Sequence, residues 1–392
     1  MSRAFLVVLD SVGIGGAPDA EVFGDTGANT VGHIAEALAG SAAPLHLPHL
    51  DALGLGQAVT LASGLEAPGL GAEPQGLWGA ATEVSPGKDT PSGHWELAGL
   101  PVPWEWTFFP HEDPCFDDAL VAKVCEIAGT DGILGNRHAS GTNIIEEEGA
   151  EHLRTGWPIC YTSTDSVFQI AAHEEHFGLD RLLDLCARLA PELHAQRVGR
   201  VIARPFVGTP ETGWTRTPNR QDFAIAPPAE TLCDWVSAAG REVHSVGKIC
   251  DIFSMQGIDT KVKGTDAALL EALTSRIAEA EDGSLTFANF VEFDSLYGHR
   301  RDPEGYARHL EWFDAVLPDL MARMRAGDML VITADHGNDP TWRGTDHTRE
   351  RVPVLVAGLG VGALGQVRFS DVAASIADHL GVENKGLGRS FL

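Results

Sequence analysis

Aspartate and histidine recur in this sequence in patterns that suit a divalent metal ion. Asp335 and His336 set a carboxylate beside an imidazole, and Gly337 lets the loop turn so that both reach one ion. Asp346 and His347 repeat the pair farther on, Asp294 is followed by His299, and Asp10 ends the apolar run Phe5 to Leu9. The set Asp10, Asp294, His299, Asp335, His336 and His347 mixes oxygen and nitrogen donors. That mix suits Mn²⁺ or Zn²⁺ and not Ca²⁺, which takes oxygen alone. A hydroxyl completes the inventory: Thr90 lies in a turn set by Pro86, Gly87, Pro91 and Gly93. A hydroxyl brought against a divalent ion loses its proton readily and becomes a nucleophile. Singly, each feature has an ordinary explanation, since Asp10 or Thr90 can simply cap a helix. Their joint placement is what points to chemistry.

That placement follows from the elements. Phe5 to Leu9 is continuously apolar and opens into Asp10, Ser11, Val12 and Gly13, the grammar of a central parallel strand buried on both faces. Phe287 to Phe293 leads to Asp294 and Met329 to Ala334 leads to Asp335 in the same way, and Val352 to Val356 is a further short strand. Helices are expected between them, over 266–280 with Leu269, Leu270, Leu273 and Ile277 on one face, and over 303–326 with Tyr306, Leu310, Phe313, Leu317 and Leu320, opened by Pro303. The fold class is therefore α/β, a doubly wound, mostly parallel sheet. In such sheets ligands collect beyond the carboxyl ends of the strands, where Asp10, Asp294 and Asp335 all fall.

The middle of the chain differs. It is richer in Trp, Pro, His and Arg, with short strands at Ile159 to Thr162 and Arg200 to Ala203. Candidate hinges flank it at Gly99 to Pro101 and Ala226 to Pro228. We expect a core of residues 1–101 and 224–392, with 102–223 inserted as an α+β cap that contributes to substrate binding. Acidic residues outnumber basic ones 55 to 28 for a net charge of −27, which repels nucleic acid and anionic membranes. Neither is an expected partner. No apolar run reaches transmembrane length and the short apolar run at the start is no signal segment. The six cysteines show no paired spacing, which reads as a protein of the reducing cytoplasm.

Four blocks resemble the prokaryotic-type phosphopentomutase family, within the alkaline phosphatase superfamily. They are Val8 to Gly15, Gly87 to Glu96, Asp294 to Asp302 and Thr333 to Pro340. The resemblance implies an isomerase that interconverts ribose 1-phosphate and ribose 5-phosphate, and the 2-deoxy pair, through a phosphothreonine and a 1,5-bisphosphate. Thr90 would carry the phosphate. Asp10, Asp335 and His336 would hold one Mn²⁺, and Asp294, His299 and His347 the other. A sugar bisphosphate would prime the enzyme, and pentose phosphates would be its partners. The stretch Tyr161 to Ile170 resembles the family's ribose-contacting segment, which implies that Ser163, Asp165 and Gln169 bond sugar hydroxyls. Arg204, Arg220 and Lys248 would bind the distal phosphate, with Arg216 close enough in sequence to compete with Arg220. The rival readings are a two-metal phosphatase or phosphoglycerate mutase of the same superfamily, or a sugar-phosphate sensor without turnover.

Overall fold

The computed structural model describes residues 2–163 and 166–392. The chain forms two compact units, one of residues up to Pro103 with Ala226–Leu392, the other Trp104–Ile225.

The first unit is built on an eight-stranded sheet. Its order is Thr260–Val262, Val243–Val246, Leu285–Phe290, Ala4–Leu9, Met329–Thr333, Val352–Ala357, Leu77–Thr82 and Gly362–Arg368. The first five strands run parallel, and the last two are parallel to each other. Val352–Ala357 runs antiparallel to both neighbours. The centre is the apolar Ala4–Leu9, every residue of it buried. Flanked by parallel partners and covered on both faces, it has no polar side to show. Register brings Leu9 opposite Phe290 and Val8 opposite Thr333, so three strands end at one level.

The expected helices form with altered bounds. Asp266–Glu279 is opened by Thr265, whose side chain accepts from the Ala268 amide, and it buries Leu269, Leu273 and Ile277 while Leu270 is only half-buried. Pro303–Ala322 starts with Pro303 in its first turn and an Asp302 cap, and buries all five expected apolar residues. It stops short of 326 because Asp328 captures the Arg325 amide at 2.7 Å, turning the chain out of the helix. Among the described residues no helix is long and apolar enough to cross a membrane.

The second unit carries a six-stranded mixed sheet, ordered Leu134–His138, Ile159–Thr162, Val167–His173, Arg200–Thr209 and Gly213–Arg216, with Gln221–Ala224 also pairing Arg200–Thr209. One apolar cluster packs helices Asp118–Ala128 and Leu179–Ala195 against it through Val124, Leu182, Leu185 and Leu189. A smaller one joins helix Gly141–Thr155 through Ile144 and Ile145 to Tyr161 and Phe206.

Candidate metal centre and nucleophile

The ladder continues one residue past the central strand, where the Asp10 amide donates to the Phe290 carbonyl at 3.0 Å. Ser11 then takes a left-handed conformation, φ 72°. Its amide donates to Asp335 Oδ1 at 3.1 Å and its hydroxyl meets the Tyr306 hydroxyl at 2.9 Å. Asp10 Oδ2 accepts from Asn289 Nδ2 at 2.9 Å. His336 Nε2 lies 3.2 Å from Asp335 Oδ2 and 3.6 Å from Asp10 Oδ1. All three side chains are buried, yet Asp10 Oδ1 and Asp335 Oδ2 accept no hydrogen bond. Buried carboxylate oxygens left so are costly unless a cation meets them. Burial, and then the facing Asp335 and Asp294, push the Asp10 carboxyl well above its usual range, with the Lys248 charge opposing. Burial would raise Asp335 too, but His336 and His94 outweigh it and hold that carboxyl down.

Asp294 does not sit directly at a strand end. It lies on a π-helical turn, Phe293–Gly298, whose widened loop is closed by the His299 amide donating to the Asp294 carbonyl at 3.0 Å. The five-residue spacing thus folds back on itself, leaving His299 Nε2 3.2 Å from Asp294 Oδ2. His347 Nε2 approaches Asp294 Oδ1 at 3.5 Å, and Asn338 Nδ2 donates to that oxygen at 2.7 Å. Ligand atoms of Asp294, His336 and His347 all fall within 4.8 Å of one another, as do those of Asp10, Asp335 and His336. His336 is therefore common to both groups, its ring stacked on His347 at 4.0 Å. Burial again works against the Asp294 anion, and His347 and His299 overcome it, setting its carboxyl well below the ordinary range.

The three histidines share one arrangement. His299 Nδ1 donates to the Thr345 carbonyl at 2.6 Å, His347 Nδ1 to that of Lys88 at 3.0 Å, and His336 Nδ1 to that of Gly337 at 3.1 Å. Each backbone carbonyl fixes the tautomer that leaves Nε2 with its lone pair, the form that binds metals. Burial lowers His336 to about 4, so it is neutral near pH 7. Burial works against the His299 cation, but Asp294 outweighs it and raises that imidazole above its usual value. Three imidazoles and three carboxylates together fit divalent transition ions. Asp346 turns elsewhere, accepting from the His347 amide at 2.9 Å and facing Lys88 Nζ at 3.3 Å.

Thr90 opens the helix Thr90–Leu97, which Asp89 caps by accepting from the Ser92 amide and hydroxyl, each at 3.0 Å. Thr90 Oγ1 stands 3.4 Å from His336 Nε2. Gly93 permits this: a Cβ there would lie 2.0 Å from the Asp335 carbonyl oxygen, so the helix can rest on that loop only through glycine. The rest of the block anchors it. His94 Nδ1 donates to the Thr90 carbonyl at 2.9 Å, Trp95 Nε1 to that of Ile252 at 3.0 Å, and Glu96 Oε2 accepts from the Ser85 amide at 2.7 Å. Lys88 Nζ reaches Asp25 at 3.0 Å.

Several residues of this centre escape sequence reasoning. Asn289 also meets His94 Nε2 at 3.2 Å. Its signal was a polar residue inside an otherwise apolar strand. Glu350 accepts from the Gly15 and Thr30 amides and the Thr30 and Thr348 hydroxyls, tying together the loops that carry Asp10 and Asp335, and no motif marks it.

The remaining expected residues separate. Ser163 follows the strand Ile159–Thr162, and Asp165 lies outside the described residues. Gln169 is buried and accepts from Arg204 Nε at 2.8 Å. Burial, helped by the neighbouring charges of Arg220 and Arg216, holds Arg204 below the usual guanidinium range. The Tyr161 hydroxyl beside them is buried without a hydrogen bond among the described residues. Arg220 is exposed and forks onto Asp222 through two 2.7 Å bonds. Lys248 belongs to the first unit, exposed at the start of the short helix Ile249–Ile252.

Residues 2–384 match the model of the Metalloenzyme superfamily. The chain is 55% identical to the phosphopentomutase of Sinorhizobium medicae (strain WSM419) and 55% identical to that of Rhizobium meliloti (strain 1021), each alignment covering all of both chains. In three dimensions it is similar to the PH0037 protein of Pyrococcus horikoshii, with TM-score 0.50 and 15% identity over 98% of each chain, a likeness of fold.

Proposed function

The chain belongs to the phosphopentomutase family of metal-dependent isomerases, and from that premise we propose that Thr90 is the residue through which phosphate moves between the two ends of a pentose. The observation that carries this is the position of Thr90 Oγ1, 3.4 Å from His336 Nε2, the imidazole common to the two clusters of candidate ligand atoms. Asp10, Asp335 and His336 would hold one divalent ion, and Asp294, His299 and His347 the other, with Mn²⁺ preferred; such ions would supply positive charge to the transferring phosphoryl group and lower the pKa of the threonine hydroxyl.

The protein's own contributions follow from its geometry. Helix Thr90–Leu97 presents its amino end to the phosphate on Thr90, where the macrodipole favours an anion. The Thr90–phosphate bond breaks as the free hydroxyl of ribose 5-phosphate or ribose 1-phosphate takes the phosphoryl group and gives up its proton, forming ribose 1,5-bisphosphate. The Thr90 oxygen then accepts the other phosphate, releasing the isomer and restoring phosphothreonine. The 2-deoxy pair reacts likewise, and a sugar bisphosphate primes the unmodified threonine. Ser163, Asp165 and Gln169 bond the sugar, while Arg204, Arg220 and Lys248 hold the distal phosphate. The buried Tyr161 hydroxyl beside Arg204 and Gln169 supports a polar ligand there. The cytoplasm is the expected place of action, in keeping with six free thiols.

The test is to incubate metal-loaded enzyme with ribose 1,5-bisphosphate and locate phosphate by peptide mass spectrometry. Phosphate on Thr90 that transfers to ribose 5-phosphate faster than to water is expected. Modification at another residue, or none, overturns the assignment.

A further inference from the structure

At the opposite, amino end of the same strands lies a second set of metal-type donors that the phosphate chemistry does not use. His244 lies on Val243–Val246, in register with Thr260 on one side and Thr286 on the other. Its side chain is wholly buried. Nδ1 is bonded to the Thr260 hydroxyl at 2.9 Å, which orients the ring. Nε2 points toward two carboxylates, 3.3 Å from Glu281 Oε2 and 3.6 Å from Glu242 Oε2, and makes no directed hydrogen bond with either.

We propose that Glu242, His244 and Glu281 form a third cation site, structural in role, for a Zn²⁺-type ion. Tetrahedral bonds of roughly 2.0–2.1 Å give ligand-to-ligand edges of roughly 3.3–3.5 Å, which the two distances from His244 Nε2 bracket. The Asp10, Asp335 and His336 group has nearly the same pair of edges, 3.2 and 3.6 Å. The donor atoms of Glu242, His244 and Glu281 all fall within 4.8 Å of one another. Both glutamates are preplaced by backbone bonds. The Glu242 carbonyl accepts from the Leu285 amide at 3.0 Å, and the Glu281 carbonyl accepts from the Ser284 amide at 3.2 Å and hydroxyl at 2.7 Å. Their side chains are 50% and 61% exposed, so an ion enters from solvent and keeps water at its open position. Arg276 is the opposing charge nearby, its Nη2 engaged at 3.2 Å with the Thr260 hydroxyl, and Asp259 adds a further carboxylate to the neighbourhood. The cluster Asp266, Glu292 and His309 differs in kind: both Asp266 oxygens are taken up by the Val291 and Glu292 amides and by His309, leaving no orphaned donor. A cation at His244 would staple the 281–284 turn to the start of Val243–Val246.

The experiment is equilibrium dialysis against Zn²⁺ with metal analysis, on the full-length enzyme and on Glu242→Gln/Glu281→Gln, two exposed changes that leave the buried imidazole in place. The double variant is expected to lose one bound equivalent, with mutase activity unchanged. Crystals of the wild-type enzyme soaked in Zn²⁺ should show anomalous scattering beside His244 Nε2. Equal stoichiometry and affinity in the two proteins, or no anomalous peak there, overturns the site. Neither readout depends on Thr90 or on the Asp10 and Asp294 groups, so failure of the catalytic assignment would leave this result standing.

Discussion

The two units put polar groups to work in opposite ways. In the first, carboxylates and imidazoles gather beyond the ends of neighbouring strands, most of them buried, and backbone groups set their positions: the Ser11 amide holds Asp335, and three carbonyls fix three histidine tautomers. In Trp104–Ile225 the matching features are side chains holding side chains, Arg204 on Gln169 and Arg220 on Asp222. Donors fixed by sheet register move only if the sheet moves. Partners held by long side chains adjust. Damage should accordingly be severe in the first unit and graded in the second.

The sharpest break in that comparison is Thr90→Ala. It removes the proposed phosphate carrier and leaves the Asp89 cap and the Gly93 contact intact, so turnover should fall by a factor on the order of 10⁴ or more. The circular dichroism spectrum should not change. A variant that still interconverts ribose 1-phosphate and ribose 5-phosphate at a tenth of the wild-type rate would remove Thr90 from the mechanism.

The second unit has its own buried polar group, and it acts on stability. His152 donates through Nδ1 to the Trp157 carbonyl at 2.6 Å and accepts at Nε2 from the His173 amide at 2.9 Å. A second proton has nowhere to go, and burial lowers its pKa from 6.5 to about 4. The unfolded chain therefore binds the proton first. Stability from this group is complete above pH 6.5, falls as pH drops toward 4 and levels off below, a loss of about 3 kcal/mol. Urea midpoints between pH 7 and pH 4 should show it, and His152→Gln should flatten the slope. An equal slope in both proteins would place the pH dependence elsewhere.

What the sequence reveals divides along physical lines. Continuous apolar runs mark strands buried on both faces, and Asp10 and Asp335 follow because a charge cannot continue such a run. Strand direction carries no such mark, so the antiparallel sense of Val352–Ala357 is invisible. Leu77–Thr82 and Gly362–Arg368 escape because they pack through small residues: a Cβ on Gly79 would lie 2.6 Å from the Gly365 oxygen. The interval from Asp294 to His299 reads equally as an α or a π turn, and only the structure shows the wider one. Arg220 reads as an available cation, but its bidentate bond to a carboxylate two residues on appears only once the chain is folded.

Support behind the ligands comes next in size. Asn289→Ala removes the donor to both Asp10 Oδ2 and His94 Nε2, and lost partners of this kind cost roughly 10–100-fold in metal affinity. Titration of the metal-free enzyme with Mn²⁺, read by recovered activity, should shift by that factor, while saturating Mn²⁺ restores much of the rate. If the midpoint does not move, backbone placement alone suffices and the contrast between the units is sharper still.

The smallest effects should come from the arginines, and they can be told apart. Arg204 is half-buried and, among the described residues, spends only Nε on Gln169, so its terminal nitrogens remain to meet a phosphate. Because a phosphate does not react while it is held there, the contact is the same in the ground and transition states of each transfer. Arg204→Gln should then raise KM about tenfold and leave kcat nearly unchanged. Arg220 starts from a different position: its fork is already on Asp222, which also faces Arg200, and binding substrate must exchange one anion for another. Arg220→Gln should raise KM by only a few-fold, and Asp222→Asn, which frees the fork, should lower it. If Arg204→Gln instead depresses kcat with KM fixed, the guanidinium acts on the transferring phosphate, and the proposed division between a reacting unit and a recognising one fails at that residue.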